Sequence, residues 1–167
     1  MMMVSSLKVA VISDTHDNLD KIERAMQMII AAGVTHVIHA GDFVAPFSLK
    51  LILRDLKGIE FIGVYGNNDG EKEGLAKVAA GRLYQAPHEF TLAGKRFFLT
   101  HDIERHDLTV VTASHDVIIF GHSHTASIEK KHEALLINPG ACCGILAEYP
   151  SIAFLTLPDR QATIVRL

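Results

Sequence analysis

Cysteine is scarce in this 167-residue chain: the only two are neighbours, Cys142 and Cys143. Adjacent cysteines make a strained bridge, so no disulfide framework is expected, and a reducing cytoplasm is the compartment that fits. No segment approaches the roughly 20 apolar residues that cross a bilayer, so no membrane association is expected. The N-terminus, Met1 to Ser6, has no basic region, and the apolar run Val9 to Ile12 is too short for a signal-peptide core. No run of Lys or Arg stands out, and the net charge is -3. Binding to extended nucleic acid usually needs a basic face, so no such partner is expected. Repeats, low-complexity tracts and linkers are also missing. With 49% hydrophobic residues the chain can bury one sizeable core, and its length points to a single domain over residues 1–167.

Histidine, in contrast, is plentiful at ten residues, and its placement follows a pattern of strands and helices. Lys8 to Ser13 is a nearly continuous Val/Ile-rich run, as in a buried parallel strand. A helix follows, with Asn18 as its cap, Leu19, Ile22, Met26, Ile29 and Ile30 as its apolar face, and Gly33 at its end. Thr35 to His39 and Ile59 to Val64 read as strands, with a helix opening at Pro46 between them. A short helix is expected over Glu71 to Ala80. After residue 87 the pattern turns β-rich. Phe90 to Leu92 and Arg96 to Thr100 flank Ala93-Gly94-Lys95 as a hairpin. Val117 to Phe120 is a buried strand, Ser127 to Lys131 pairs with Ala134 to Asn138, and Ile152 to Leu157 pairs with Ala162 to Leu167. A βαβαβ unit followed by a β-rich half is best buried as two sheets flanked by helices.

Polar residues fall just past the ends of these strands. Asp14 and His16 follow the first, Asp42 the second, and Asn67 and Asp69 the third. His101 follows the strand ending at Thr100, and His122 and His124 follow the strand ending at Phe120. In open α/β sheets that edge is where ligands bind. Each pair has an ordinary reading by itself: Asp-x-His is turn chemistry, Gly-Asp a helix cap, Gly-Asn-Asn-Asp a plain turn. In this order, each at a strand end, they read as one metal site. Carboxylate, imidazole and amide oxygen suit Mn, Fe, Zn, Ni or Co. Two such ions roughly 3.5–4 Å apart can clamp both oxygens of a displacement at phosphorus.

These residues resemble the calcineurin-like metallophosphoesterases. The blocks are Asp14-Thr15-His16, Gly41-Asp42, Gly66-Asn67-Asn68-Asp69, Thr100-His101 and Gly121-His122-Ser123-His124, with Asn138-Pro139-Gly140 later in the chain. Size and block order are most similar to the small bacterial and archaeal phosphodiesterase subgroup. The resemblance implies a four-layer αββα sandwich of two mixed β-sheets flanked by helices. It implies two divalent ions, Mn first among them, one held by Asp14, His16, Asp42 and His124 and the other by Asp42, Asn67, His101 and His122. Asp42 would bridge them, and Asp42, Asn67 and Asp69 are the candidate catalytic residues. The expected activity is hydrolysis of a small phosphate ester, most of all a diester, by in-line attack of a metal-bridging hydroxide. Two divalent ions, two carboxylates and one hydroxide leave roughly one positive charge, which a diester monoanion neutralises. Homo-oligomers are compatible with this reading. Its alternative is a catalytically weak protein-interaction scaffold of the same fold, though every ligand position is filled.

Three departures from the family pattern stand out. Asn68 occupies a position where many relatives carry a proton-donating or phosphate-contacting His, and an amide is no general acid. Good leaving groups are therefore expected to be favoured. Asp102 and Ile103 stand where Gly and a second His are frequent, and Asp17 where Gly is frequent. Asp69 is expected to orient a ligand or substrate rather than to bind metal. Among the remaining residues, His36 and His39 are expected in packing, and His106 in a surface loop with a possible reach to substrate. His88, His115 and His132 are expected on exposed turns or strands. Cys142 and Cys143 are expected as small buried packing, and Arg105 as a solvated loop charge or a phosphate contact.

Overall fold

The first strand, β1 (Leu7–Ile12), is apolar on both faces because both are covered. Val9 and Val11 point into one apolar layer, and Ala10 and Ile12 into another, as the two-residue period of a strand requires. In this computed structural model residues 6–167 are described; the first five residues of the N-terminal segment read above lie outside that range.

β1 lies inside a six-stranded mixed sheet. On one side it pairs in parallel with β2 (His36–His39), which continues to β3 (Glu60–Val64) and the two-residue β4 (Leu83–Tyr84). On the other it pairs antiparallel with β10 (Ser151–Leu157), which carries β11 (Gln161–Arg166) at the edge. A second mixed sheet has the order β5 (His88–Leu92), β6 (Lys95–Leu99), β7 (Val117–Ile119), β9 (Ala134–Asn138), β8 (Ser127–Lys131). Here β6, β7 and β9 are parallel.

Three apolar layers separate four structural layers. Helices α1 (Leu19–Ala31), α2 (Pro46–Arg54) and α3 (Lys72–Ala79) cover the outer face of the first sheet through Ile22, Ile29, Leu49 and Leu75. Val11, Ile38, Phe97, Ile119 and Ile137 fill the space between the sheets. Val111 of α4 (Leu108–Ser114) packs against Phe98, Ile118 and Leu136 on the far face of the second sheet. The fold is therefore the αββα sandwich.

Local details correct the expectations in four places. The buried face of α1 is Ile22, Ala25, Met26 and Ile29, while Leu19 and Ile30 are about 40% exposed, 43% and 42%. At 100° per residue these two lie roughly 60–80° round from Ile22, at the edge of the stripe. The hairpin turn is only Ala93-Gly94, both with positive φ (49° and 73°), and Lys95 already pairs with Leu92. Both φ values suit a two-residue hairpin loop. The strand β4 is too short to show a pattern. Helix α4 was hidden because Leu-Thr-Val-Val-Thr-Ala-Ser is rich in β-branched residues. Asp107 caps it, accepting from the N–H groups of Thr109 and Val110, and burial of Val111 outweighs propensity.

Candidate metal centre

The loops after β1, β2, β3, β6 and β7 meet at one end of the sandwich. The convergence differs from a single-sheet edge: β1, β2 and β3 belong to one sheet, and β6 and β7 to the other. Stacking the sheets brings the two sets of strand ends together. His122 N–H donates to Asp14 Oδ2 (3.1 Å) across the sheets, and His101 Nδ1 donates to the Ala40 carbonyl (2.8 Å).

Asp14 lies at the centre and is fully buried. Its Oδ2 accepts from the Ser13 hydroxyl (2.6 Å) and from His122 N–H, which turns Oδ1 inward. Around Asp14 Oδ1 stand His124 Nε2 at 3.2 Å, His16 Nε2 at 3.5 Å and His101 Nε2 at 3.9 Å. Asp42 Oδ2 lies 3.3 Å from His101 Nε2 and 3.4 Å from His16 Nε2. Donor atoms of Asp14, His16 and His124 lie within 4.8 Å of one another, and so do those of Asp14, Asp42 and His101. Asp14 thus faces both groups. Asn67 Oδ1 and His122 Nδ1 meet at 3.0 Å, and the His122 ring packs edge-on against His101.

The ring orientations suit a cation site, where a metal ion or a proton lies between imidazole nitrogen and carboxylate. The Ala40 and Ile145 carbonyls can only accept, so His101 Nδ1 and His124 Nδ1 carry their protons there (2.8 and 2.7 Å). In the neutral ring the Nε2 lone pair then faces a carboxylate oxygen. Like electron density at that distance repels unless a cation lies between. Asp14 Oδ1, His16 Nε2 and His101 Nε2 are buried without a hydrogen-bond partner, and buried polar atoms are almost always partnered. The donor set of oxygen and imidazole nitrogen fits a divalent transition ion. Without an ion the rings take a proton toward the carboxylates: Asp14 pushes His16 up, and against burial Asp42 pushes His101 up. Burial would raise the Asp14 carboxyl, but His16, Ser13, His101 and His124 in that form hold it below the ordinary value. Asp42 is likewise held low against the pull of burial, by His101 and Asn68.

The backbone is strained to reach this geometry. Asp14, His16, Asp42, His122 and His124 all have positive φ, between 40° and 67°, a region costing non-glycine residues about 1–2 kcal/mol each. Neighbouring loops hold them there. Asp14, His16 and Asp17 donate N–H to Gly41, Asp42 and Phe43 carbonyls in turn, and Cys142 and Cys143 donate to Ser13 and Asp14. Two glycines allow close approach: a Cβ on Gly66 would fall on Asp42 Oδ1, and one on Gly121 on Ser13 Oγ.

Several residues singled out in the sequence take supporting positions whose partners only the structure shows. Asp69 accepts from the N–H groups of Asp42 (2.9 Å), Val44 (2.8 Å) and Gly66 (2.7 Å), tying the loops after β2 and β3 together. Burial pushes its carboxyl up despite these donors. Asn68 turns toward Asp42. Asp17 accepts from Ala45 N–H and the Ser48 hydroxyl, capping α2, whose own N-cap residue Ala45 offers no side-chain acceptor. Asn138, in the Asn-Pro-Gly block, donates to the Gly121 carbonyl and Ser123 Oγ and so supports the His122–His124 turn. An Asn at a strand end resembles any turn residue, and only its contact with the loop after the neighbouring strand β7 reveals its task.

His39 is fully buried, stacked on Phe43, with Nδ1 accepting from Gly41 N–H (3.0 Å) and Nε2 facing Thr15 Oγ1. It packs in the core as expected, under the metal-site loops. His88 is stacked between Tyr84 and Phe90, and His132 is exposed. His115 differs from the expectation of exposure: its side chain is 9% exposed, packed on Phe98 with Nε2 2.8 Å from Glu89. The unanticipated helix α4 tucks it under. Cys142 and Cys143 are both buried beside the Asp14 loop, and burial pushes the Cys142 thiol up to about 12.

A layered αββα fold with a carboxylate–histidine cluster at the strand ends is that of a metal-dependent phosphoesterase. The family model described as the calcineurin-like phosphoesterase superfamily domain matches residues 7–160, and the chain belongs to that family. Phosphodiesterase MJ0936 of Methanocaldococcus jannaschii is 34% identical over 161 residues, covering 93% of this chain and 96% of the relative. The solved structure of an archaeal phosphodiesterase superposes with a TM-score of 0.81 at 32% identity, over 96% of this chain and 100% of the other. Vps29 of Entamoeba histolytica, solved as a zinc complex, shares the fold at a TM-score of 0.66 and 20% identity, over 96% and 98% of the two chains. Among the described residues no helix is long and apolar enough to cross a membrane.

Proposed function

We propose that the chain is a binuclear-metal phosphodiesterase acting on small phosphate esters, a single domain over residues 1–167 working in the cytoplasm. The observation that carries this is the inward convergence of three unpartnered buried atoms, Asp14 Oδ1, His16 Nε2 and His101 Nε2. Asp14, His16, Asp42 and His124 would hold one ion, and Asp42, Asn67, His101 and His122 the other, with Mn as the first candidate. When bound, such ions supply positive charge to the phosphoryl oxygens and a hydroxide for in-line attack.

The chain's own residues set the rest. Asp14 and Asp42 bring two negative charges and Asn67 none, a balance suited to a diester monoanion. His101 and His124 keep their protons on backbone carbonyls and turn bare nitrogens to the centre. Asp69 is a positioning residue, since both its oxygens are engaged by backbone N–H groups. Asn68 donates to Asp42 and brings no acid to the leaving group, which favours esters of acidic alcohols.

The test is elemental analysis after Mn loading together with turnover of bis(p-nitrophenyl) phosphate. About two ions per chain and metal-dependent release of nitrophenolate are expected. Metal-free protein at saturating Mn would sink the proposal and favour a scaffold of the same fold.

A further inference from the structure

Beside the metal centre lies a cleft of about 300 Å³. Its inner wall includes Asn67 and His101, and its outer wall Tyr65, Lys72, Gln85 and Arg105. A volume of that order takes a small organic body. A substrate with its phosphate at the centre would have room there for its alcohol part.

The wall presents two cations; of its carboxylates Asp69 is withdrawn, and Asp102 lines the cleft between Arg105 and His122. Asp69 is 2% exposed, and three backbone N–H groups occupy its oxygens. Asp102 accepts from Glu104 N–H and from Arg105 Nε (3.3 Å), with its own side chain 19% exposed. That contact orients the Arg105 guanidinium and leaves both terminal nitrogens free on a side chain that is 76% exposed. The Lys72 ammonium lies over the Tyr65 ring, 5.6 Å from its centre, and enters no ion pair among the described residues. A guanidinium fork and an ammonium lining one cleft are the groups that phosphate oxygens favour. The departure at Asp102 and Ile103 builds it: a one-turn helix at Ile103–Arg105, capped by Asp102, carries Arg105 to the rim.

We propose that Lys72 and Arg105 bind a second phosphate on the alcohol part of the substrate, so that the preferred diester carries a phosphate monoester at one end. This rests on the phosphodiesterase reading of the neighbouring centre. It makes the cleft the part of the protein that selects among diesters.

The test is calorimetric and needs no turnover. The probes are two thymidine dinucleotide analogues whose scissile oxygen is replaced by CH₂, one with and one without a 5′ phosphate, titrated into Mn-loaded protein. The terminal phosphate is expected to tighten binding about tenfold, or about 1.4 kcal/mol. In the double variant Lys72→Ala/Arg105→Ala that ratio is expected to fall to about twofold or less, a few tenths of a kcal/mol. Because the readout is a ratio within one protein sample, partial loss of folding or metal cancels. Equal affinities in the wild type, or a ratio unchanged in the double variant, overturn the proposal. Absence of bis(p-nitrophenyl) phosphate hydrolysis would count against the phosphodiesterase reading, while the affinity ratio still decides the cleft.

Discussion

Asn68 grips both oxygens of one carboxylate: its N–H donates to Asp42 Oδ1 at 2.8 Å, and its side-chain amide to Asp42 Oδ2 at 2.7 Å. The residue after Asn67 therefore steers the proposed bridge rather than the leaving group. Groups that orient a ligand typically account for about 10–100-fold in metal affinity. Asn68→Ala is expected to weaken Mn binding by that order, measured by competition with a chelator. The dependence of rate on leaving-group pKa is expected to be steep in the wild type and equally steep in the variant. A shallower slope in the variant would show that position 68 faces the departing alcohol.

Asp42 is proposed as the carboxylate shared by both ions; its Oδ2 lies 3.3 Å from His101 Nε2 and 3.4 Å from His16 Nε2. Asp42→Ala should abolish turnover of bis(p-nitrophenyl) phosphate while circular dichroism still reports a folded chain. Asp42 lies in the loop after β2, outside the apolar layers that hold the sheets and helices together, so folding survives its loss more readily than function. Near wild-type turnover at saturating Mn would exclude the bridging role.

Asp69 holds three backbone N–H groups from two loops. In Asp69→Ala those donors lose their acceptor inside a buried site, at about 1–3 kcal/mol for each left unsatisfied. A loss of roughly 3 kcal/mol or more in urea unfolding is expected, with water entering the site setting the lower end. Asp69→Asn keeps one acceptor oxygen but turns an NH₂ toward an N–H, so it should fall between the two. A variant as stable as wild type would mean the loops are held without this carboxylate.

The two sheets and most strand limits were legible because period-2 burial and Val/Ile runs mark covered strands. The convergence of Asp14, His16, Asp42, Asn67, His101, His122 and His124 was legible because each lies just past a strand end and their residue types recur in one pattern. Helix α4 was not, since its β-branched sequence points to a strand and only the Asp107 cap and the Val111 contact decide otherwise. The partners of the supporting residues were not legible. Asp17 and Asn138 stand out in the sequence, but they act on loops distant in sequence, and those contacts exist only once the loops are brought together.

His39 gives a prediction about acid stability. It is buried with both nitrogens engaged, and burial lowers its pKa from 6.5 to about 3. The folded state therefore keeps the ring neutral, while the unfolded chain takes up a proton below about pH 6.5. The stabilisation from a neutral His39 is complete above the unfolded value and is lost as pH falls from there toward 3. The slope in that window is about 1.4 kcal/mol per pH unit. Between pH 7.5 and 5.5 the loss assigned to this one residue is about 1.4 kcal/mol, since titration of the unfolded chain begins only near pH 6.5. The measurement is urea unfolding at both pH values in the presence of EDTA, for wild type and His39→Asn. Asn offers an oxygen near the Nδ1 position for Gly41 N–H but does not titrate. The variant should be less stable at pH 7.5, and its drop on acidification should be smaller than that of wild type by about 1.4 kcal/mol. An equal drop in both proteins would show that His39 takes up its proton alike in the folded and unfolded chains, so that burial does not keep the ring neutral.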